Sequence, residues 1–256
     1  MIDHHPLIMF LLLPLAAYVI GATPFAFIIA RGKGIDLRKV GSGNIGATNC
    51  GRVCGWQWGC LCFALDVAKG LLPVLIAGML LRPERSAAVA TVFGPPQFSI
   101  GWLLTGYDAT ATKFGPPPWV PSPVEQAAWL LTGCCAIAGH ILPFWLRFRG
   151  GKGVATALGV VLGIWPFFTA AGVVALGVWV IVTLISRYVS LGSIAAAAAF
   201  LPVFVAMNWP PTGLWPMAAF AAAMAGLIIF RHRTNISRIL AGTENKIGGG
   251  PKRSAG

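Results

Sequence analysis

Charge is what this chain has least of. Only 10% of its 256 residues are Asp, Glu, Lys or Arg, against about 25% in an average soluble domain. That scarcity leaves no room for a sizeable soluble domain. Metal-site spacing is missing too. The six cysteines include no C-x-x-C pair, and no histidine supplies zinc-ligand spacing. They are expected to be reduced, small apolar residues, and no metal or cofactor is expected. No basic n-region precedes the first apolar run, so that run does not read as a signal peptide. No convincing internal repeat is visible. The acids number only seven against 19 Lys and Arg, giving a net charge of +12. A basic chain can mean a nucleic-acid partner. Here the cations are divided among loops between apolar runs, which points instead to membrane orientation and anionic substrates.

What is abundant is apolar: 57% of residues, with a mean hydropathy of +0.77. A spanning helix needs about 20 apolar residues. Candidate spans lie near 6–30, 58–81 and 127–146. The apolar stretch 154–186 is broken at Pro166 and fits a hairpin of one short and one full helix, near 154–165 and 167–186. Further spans lie near 190–206 and 214–230. The expectation is an all-α integral membrane protein, one polytopic domain over 1–256 with about seven transmembrane helices. Residues 83–126 read as an external proline-rich insertion and 247–256 as a flexible tail. Fifteen Lys and Arg residues fall in loops on one side. Arg82, Arg85 and Lys113 fall on the other, and Lys69 lies inside a span. The positive-inside rule then places the N-terminus outside and the C-terminus in the cytoplasm.

Three polar segments interrupt the apolar runs, all on the expected cytoplasmic side. The first, residues 139–156, reads GHILPFWLRFRGGKGVAT. Its glycines, Gly150, Gly151 and Gly153, permit close approach of backbone to a ligand. N–H groups at the start of the next helix can point at an anion, and Lys152 adds full charge. No Ser or Thr follows Lys152, so this is not a Walker A loop. The second segment, GKGIDLRKVGSGNIGATNCGR over 32–52, holds Ser42, Asn44, Thr48, Asn49 and Arg52. The third, 231–253, reads RHRTNISRILAGTENKIGGGPKR. Basic residues beside spans can be purely topogenic. Three phosphate-friendly segments on one face are more than topology requires. A transporter for a phosphorylated metabolite would also use broken helices and helix N-termini. It would place its polar residues near the bilayer midplane, whereas these cluster at one surface.

These segments, with LDVAKG at 65–70 and RYVSLGSI at 187–194, resemble the bacterial acyl-phosphate:glycerol-3-phosphate acyltransferases, the PlsY family. The resemblance covers nearly the whole chain except about 83–126. It implies a bacterial cytoplasmic-membrane enzyme with seven helices and a cytoplasm-facing site. It would transfer a fatty acyl group from acyl phosphate to the 1-hydroxyl of glycerol 3-phosphate, giving lysophosphatidic acid, the first acylation of phospholipid synthesis. Membrane lipid is the surrounding partner, and the enzyme that makes acyl phosphate is a further candidate partner. By the same resemblance Ser42, Arg52, Lys152, His232 and Asn235 match substrate-binding and catalytic positions, with Asn44 and Thr48 in the same loop. Ile45, Leu142 and Arg149 depart from common family residues. His-x4-Asp, the signature of the thioester-using glycerolipid acyltransferases, is absent, since Met9, Phe10, Trp145 and Ser237 stand five after the four histidines.

The residues themselves leave several roles open. His232 and Asn235 share a helix face at spacing three. His232 is either a general base or a binding and orienting donor, with substrate phosphate taking the proton. Asn49 reads as a turn stabiliser. Asp66 and Lys69, three apart inside a span, are expected to pair and hold the site together. His140 is expected to bond another loop. Glu244 is the nearest acid to His232 in sequence, and Gly242 between them leaves its placement unpredictable.

Overall fold

The computed structural model describes residues 5–81, 120–208 and 213–248, and every regular element among them is a helix. Ten α-helices are α1 Leu13–Gly21, α2 Phe25–Arg31, α3 Ala47–Cys54, α4 Trp56–Leu81, α5 Pro123–Ile141, α6 Val154–Gly163, α7 Thr169–Ser186, α8 Val189–Met207, α9 Trp215–Arg231 and α10 Arg233–Leu240. A short π-helix, Ile8–Leu12, leads into α1. Among the described residues, five segments are long and apolar enough to cross a membrane: Ile8–Arg31, Trp56–Leu81, Pro123–Leu146, Thr169–Ser186 and Val189–Met207. A sixth follows if α9 and α10, bent by 52°, are counted together. The remaining apolar helix, α6, has ten residues. At 1.5 Å per residue it reaches about 15 Å, half the hydrocarbon thickness. The hairpin expected over 154–186 is therefore one half-length helix and one full one.

Exposed side chains confirm the solvent these helices are built for. Leu184 and Ile185 on α7 are 73% and 82% exposed. Such a surface would be an aggregation liability in water and is ordinary against lipid. This is an all-helical, multi-pass integral membrane protein.

Inside, small residues bring helices together, as lipid-embedded bundles require. A Cβ added to Gly159 on α6 would sit 2.0 Å from the Val67 carbonyl oxygen of α4, and one on Gly70 would sit 2.2 Å from that of Thr156. This contact fixes the start of α6 against α4. Around α8 the packing is aromatic. Phe168 is fully buried, with its ring 5.2 Å from Phe200, 5.0 Å from Phe204 and 5.9 Å from Phe220.

Three boundaries differ from the sequence reading. The first span is broken at Ala22–Pro24, because Pro24 cannot donate into the helix before it. Helix α5 starts at Pro123, inside the stretch assigned to the external insertion. Ser122 accepts from Glu125 N–H while the Glu125 carboxylate accepts from Ser122 N–H, a reciprocal cap. The rest of the insertion call, residues 83–119, lies outside the described residues. The tail assigned from 247 is anchored at its first residue: Ile247 N–H donates to the Arg187 carbonyl at 2.8 Å, and Arg187 Nη2 donates to that of Ile247 at 2.8 Å. Residues 249–256 lie outside the described residues.

Candidate active site

The loop before α3 is shaped by one buried side chain. Asn49, 1% exposed, donates Nδ2 to the carbonyls of Leu37 and Val40 and accepts from Ser42 N–H at 2.9 Å. Gly41 at φ 63° passes so close that an added Cβ would sit 2.2 Å from Asn49 Oδ1. The reading of Asn49 as a turn stabiliser thus has a geometric account. Its consequence is the placement of Ser42, which lines a cavity of about 200 Å³ together with Asn44, Thr48 and Arg52.

The glycine–lysine loop contributes to the same cavity, but not as its composition implies. Gly153 stands at φ 86°, a left-handed conformation that favours glycine, and starts α6. Gly153, Lys152, Val154 and Ala155 line the cavity, so the first-turn N–H groups of α6 lie at its wall. Gly150 and Gly151 are different. Their N–H groups donate to the carbonyls of Ile141 and His140. Added Cβ atoms would sit 2.1 Å from His140 O and 2.3 Å from His140 Nε2, respectively. These two glycines pack the loop against the end of α5, with their N–H groups already used. The expectation that they bind phosphate is corrected: they permit backbone packing.

The C-terminal segment supplies a buried polar network. Lys152 Nζ donates to Asn235 Oδ1. Asn235 Nδ2 donates to Glu244 Oε1 at 2.6 Å. Glu244 also accepts from Ser190 Oγ at 2.9 Å and from Arg238 Nε at 2.7 Å. Gly242, at φ 67°, lets the chain reverse after α10, and Thr243 and Glu244 N–H both donate to the Arg238 carbonyl. That reversal, invisible in composition, brings Glu244 back beside Asn235. Burial raises the Glu244 carboxyl, but the bonds from Arg238, Asn235 and Ser190 outweigh it and hold it below the usual range. Lys152 is pushed down to about 8. Burial is the largest cause, opposed by Glu244 and reinforced by Arg238, Arg231 and Arg52.

His232 is 2% exposed and sits at the bend between α9 and α10. Its Nδ1 lies 2.8 Å from the Ile228 carbonyl. A carbonyl can only accept, so Nδ1 carries the proton and the neutral ring keeps a lone pair on Nε2. The sequence reading allowed a donor there; this tautomer offers an acceptor.

Behind the cavity, Asp66 and Lys69 form an ion pair at 2.8 Å, both almost fully buried. Lys69 also donates to the Thr23 carbonyl at 2.8 Å, at the break in the first span. His140 Nδ1 lies 3.7 Å from Asp66 Oδ1. Asp66 and His140 reach the cavity wall, while Lys69 does not. Arg231, not singled out from the sequence, donates Nη2 to the Gly151 carbonyl at 2.8 Å and braces the lysine loop. Ser190 and Arg238 were also missed. Ser190 lies within the RYVSLGSI motif, but neither it nor Arg238 stands in a spacing that reports a role.

The cavity has two limbs. Ser42, Arg52, Lys152, His232 and Asn235 surround a cationic head. Leu158, Leu176, Trp179, Phe200 and Met224 enclose an apolar limb between α6, α7, α8 and α9. The class is a membrane-embedded protein with a cavity lined by cations and polar groups on one side and by apolar side chains on the other. Residues 11–242 match the family model described as glycerol-3-phosphate acyltransferase. The glycerol-3-phosphate acyltransferase of Aquifex aeolicus is 38% identical, over 92% of this chain and 98% of that one. That of Geotalea daltonii is also 38% identical, over 92% and 96%. The crystal structure of PlsY, an integral membrane glycerol 3-phosphate acyltransferase, in its glycerol 3-phosphate form has a TM-score of 0.67 at 35% identity, covering 92% of this chain and 94% of that one. Its lysophosphatidic acid form gives 0.66 at 33% identity, with the same coverage. The chain belongs to the glycerol-3-phosphate acyltransferase family.

Proposed function

We propose that this protein transfers a fatty acyl group from acyl phosphate to the 1-hydroxyl of glycerol 3-phosphate, at the cytoplasmic face of a bacterial inner membrane. The products are lysophosphatidic acid and inorganic phosphate. One observation carries the reading: a single cavity joins a cationic head to an apolar limb, the two halves of lysophosphatidic acid. The 1-hydroxyl oxygen attacks the acyl carbonyl carbon and gives up its proton to substrate phosphate, the bond from that carbon to the leaving phosphate oxygen breaks, and inorganic phosphate leaves with the bonding pair. The donor is already activated, so no covalent enzyme intermediate is needed. Positioning and electrostatic stabilisation supply the rate. Arg52 and Lys152 read the phosphates. Ser42, Asn44 and Thr48 hydrogen-bond the substrates, and Asn235, held by Glu244, positions the Lys152 ammonium. Asp66, Lys69 and His140 support the wall behind them.

The test is an assay in detergent, where transport is impossible, with acyl phosphate, acyl-CoA and acyl carrier protein as alternative donors. Lysophosphatidic acid is expected from acyl phosphate. Activity with acyl-CoA and none with acyl phosphate overturns the donor.

The orientation has its own test. With fifteen loop cations on one side, a C-terminal fusion to an enzyme active only in the periplasm is expected to be silent. Robust periplasmic activity would reverse the topology.

A pH dependence follows from Lys152. Its ammonium, at about 8, is charged below that pH and neutral above it. Phosphate binding needs the charged form, so kcat/KM for glycerol 3-phosphate is expected to fall about tenfold per pH unit once pH is well above that value. Lys152→Arg stays charged over that range and is expected to flatten the fall. A wild-type profile already flat from pH 8 upward would exclude Lys152 from phosphate binding.

A further inference from the structure

At its far end the apolar limb is lined by residues of four helices. Along α8 the limb runs from Ser190, which bonds Glu244 at the polar end, to Phe200. On α9, running the other way, it extends from Ile228, next to the His232 turn, back to Met224. On α6 it ends at Val161, and on α7 at Gly172. At that level α6 and α7 touch: a Cβ on Gly172 would lie 2.3 Å from Val161 Cγ1. Val161, Phe200 and Met224 are 5%, 3% and 6% exposed. Behind Phe200 stands Phe168, fully buried, edge-on at 5.2 Å and itself packed on Phe204 and Phe220. A ring backed by other rings cannot retreat without displacing them, which close-packed interiors resist.

We propose that this limb is a ruler for the acyl chain, with Phe200 as its floor and Ala197 as the position that sets its bore. The inference rests on acyl transfer at this site. From Ser190 to Phe200 is ten helical residues, about 15 Å. A carbon–carbon bond of about 1.5 Å at a tetrahedral angle advances an extended chain about 1.25 Å per carbon. The lining along α8 is therefore as long as about 12 extended carbons, and a methylene beyond that length must bend or leave the limb. A methylene left outside the limb forgoes its burial against protein, and one forced in overpacks the floor. Discrimination by length follows from those two costs. Ala197 lines the limb one turn nearer the head than Phe200 and is 7% exposed. A larger side chain there shortens the limb by about 4.5 Å, close to four carbons.

The test compares Phe200→Ala and Ala197→Leu with wild type across acyl donors of 8 to about 18 carbons, using whichever donor class supports turnover. Thermal stabilisation by lysophosphatidic acids of the same lengths reads the limb without turnover. Phe200→Ala is expected to move the preferred length up by two or more carbons, and Ala197→Leu to move it down by about three or four, in both readouts. If Phe200→Ala does not fold, Ala197→Leu carries the test alone. An unchanged length profile in the folded variants overturns the ruler, because it means the chain leaves sideways between helices into lipid. A wild type inert with acyl phosphate but active with acyl-CoA overturns the donor reading instead, and the length profile is then read with acyl-CoA.

Discussion

Lys152→Ala is expected to weaken glycerol 3-phosphate binding by about 10- to 150-fold. The expectation starts from the chemistry of a charge-assisted hydrogen bond, whose loss costs roughly 1.5–3 kcal/mol. Lys152 Nζ is held in the head of the cavity by Asn235 Oδ1, and Asn235 is in turn held by Glu244. The ammonium is therefore preorganised, so little of its attraction for phosphate is spent on ordering the side chain. Removing it also leaves Asn235 Oδ1 without its partner in a buried setting, a cost to folding that free and bound enzyme share and that does not alter the expected binding loss. The measurement is the Michaelis constant for glycerol 3-phosphate in detergent, with folding checked by thermal unfolding. Arg52→Ala is the companion, since Arg52 lines the same cavity. Wild-type kinetics in both folded variants would remove these cations from the site.

How much of this was legible beforehand depended on the kind of signal. Burial in lipid writes itself into composition, because a helix without water must be apolar over about 20 residues. The long spans could therefore be placed to within a few residues. Residues of the head were legible because polar side chains are rare enough in this chain to stand out: Ser42, Arg52, Lys152, His232 and Asn235 all line one cavity. Glycine was ambiguous. It permits either a ligand or another backbone to come close, and sequence does not say which. Gly153 lines the cavity, whereas Gly150 and Gly151 are filled by His140 and Pro143. Glu244 was expected as a supporting residue, but its placement was open for a different reason. Its position depends on a single left-handed residue, Gly242, that reverses the chain. Arg231 acts through a backbone carbonyl, that of Gly151. A contact to backbone leaves no complementary residue type in the sequence to betray it. The apolar limb was illegible because its lining residues are the same types that face lipid elsewhere.

His232→Ala is expected to lose about five- to 150-fold in kcat/KM, most of it in KM, while keeping measurable turnover. That range is the loss of one buried hydrogen-bond partner, about 1–3 kcal/mol. General-base catalysis would predict a different pattern, a loss of roughly 10²–10⁴-fold in turnover itself. Two structural facts favour the smaller effect. The group on Nδ1 is the Ile228 carbonyl, a neutral acceptor rather than the carboxylate that would stabilise an imidazolium. The ring is also buried in a cavity wall that already holds the Lys152 and Arg52 cations, where a further positive charge is disfavoured. Substrate phosphate, by contrast, is a dianion suited to accept the hydroxyl proton. His232 Nε2 then accepts from a different donor in the head, because the one hydroxyl proton cannot go to Nε2 and to phosphate at once. A pH profile gives only part of the answer: burial, then the Lys152 charge, push the His232 imidazole down to about 4, while phosphate ionises a second time near 6 and is itself shifted by the cations that bind it. The amide variant separates the two cases. In His232→Gln the side-chain carbonyl can accept a hydrogen bond but cannot act as a base near neutral pH. It is expected to recover much of the lost kcat/KM. A His232→Gln enzyme that binds glycerol 3-phosphate as wild type does, yet shows no turnover, would make the histidine the base and relegate the phosphate to binding.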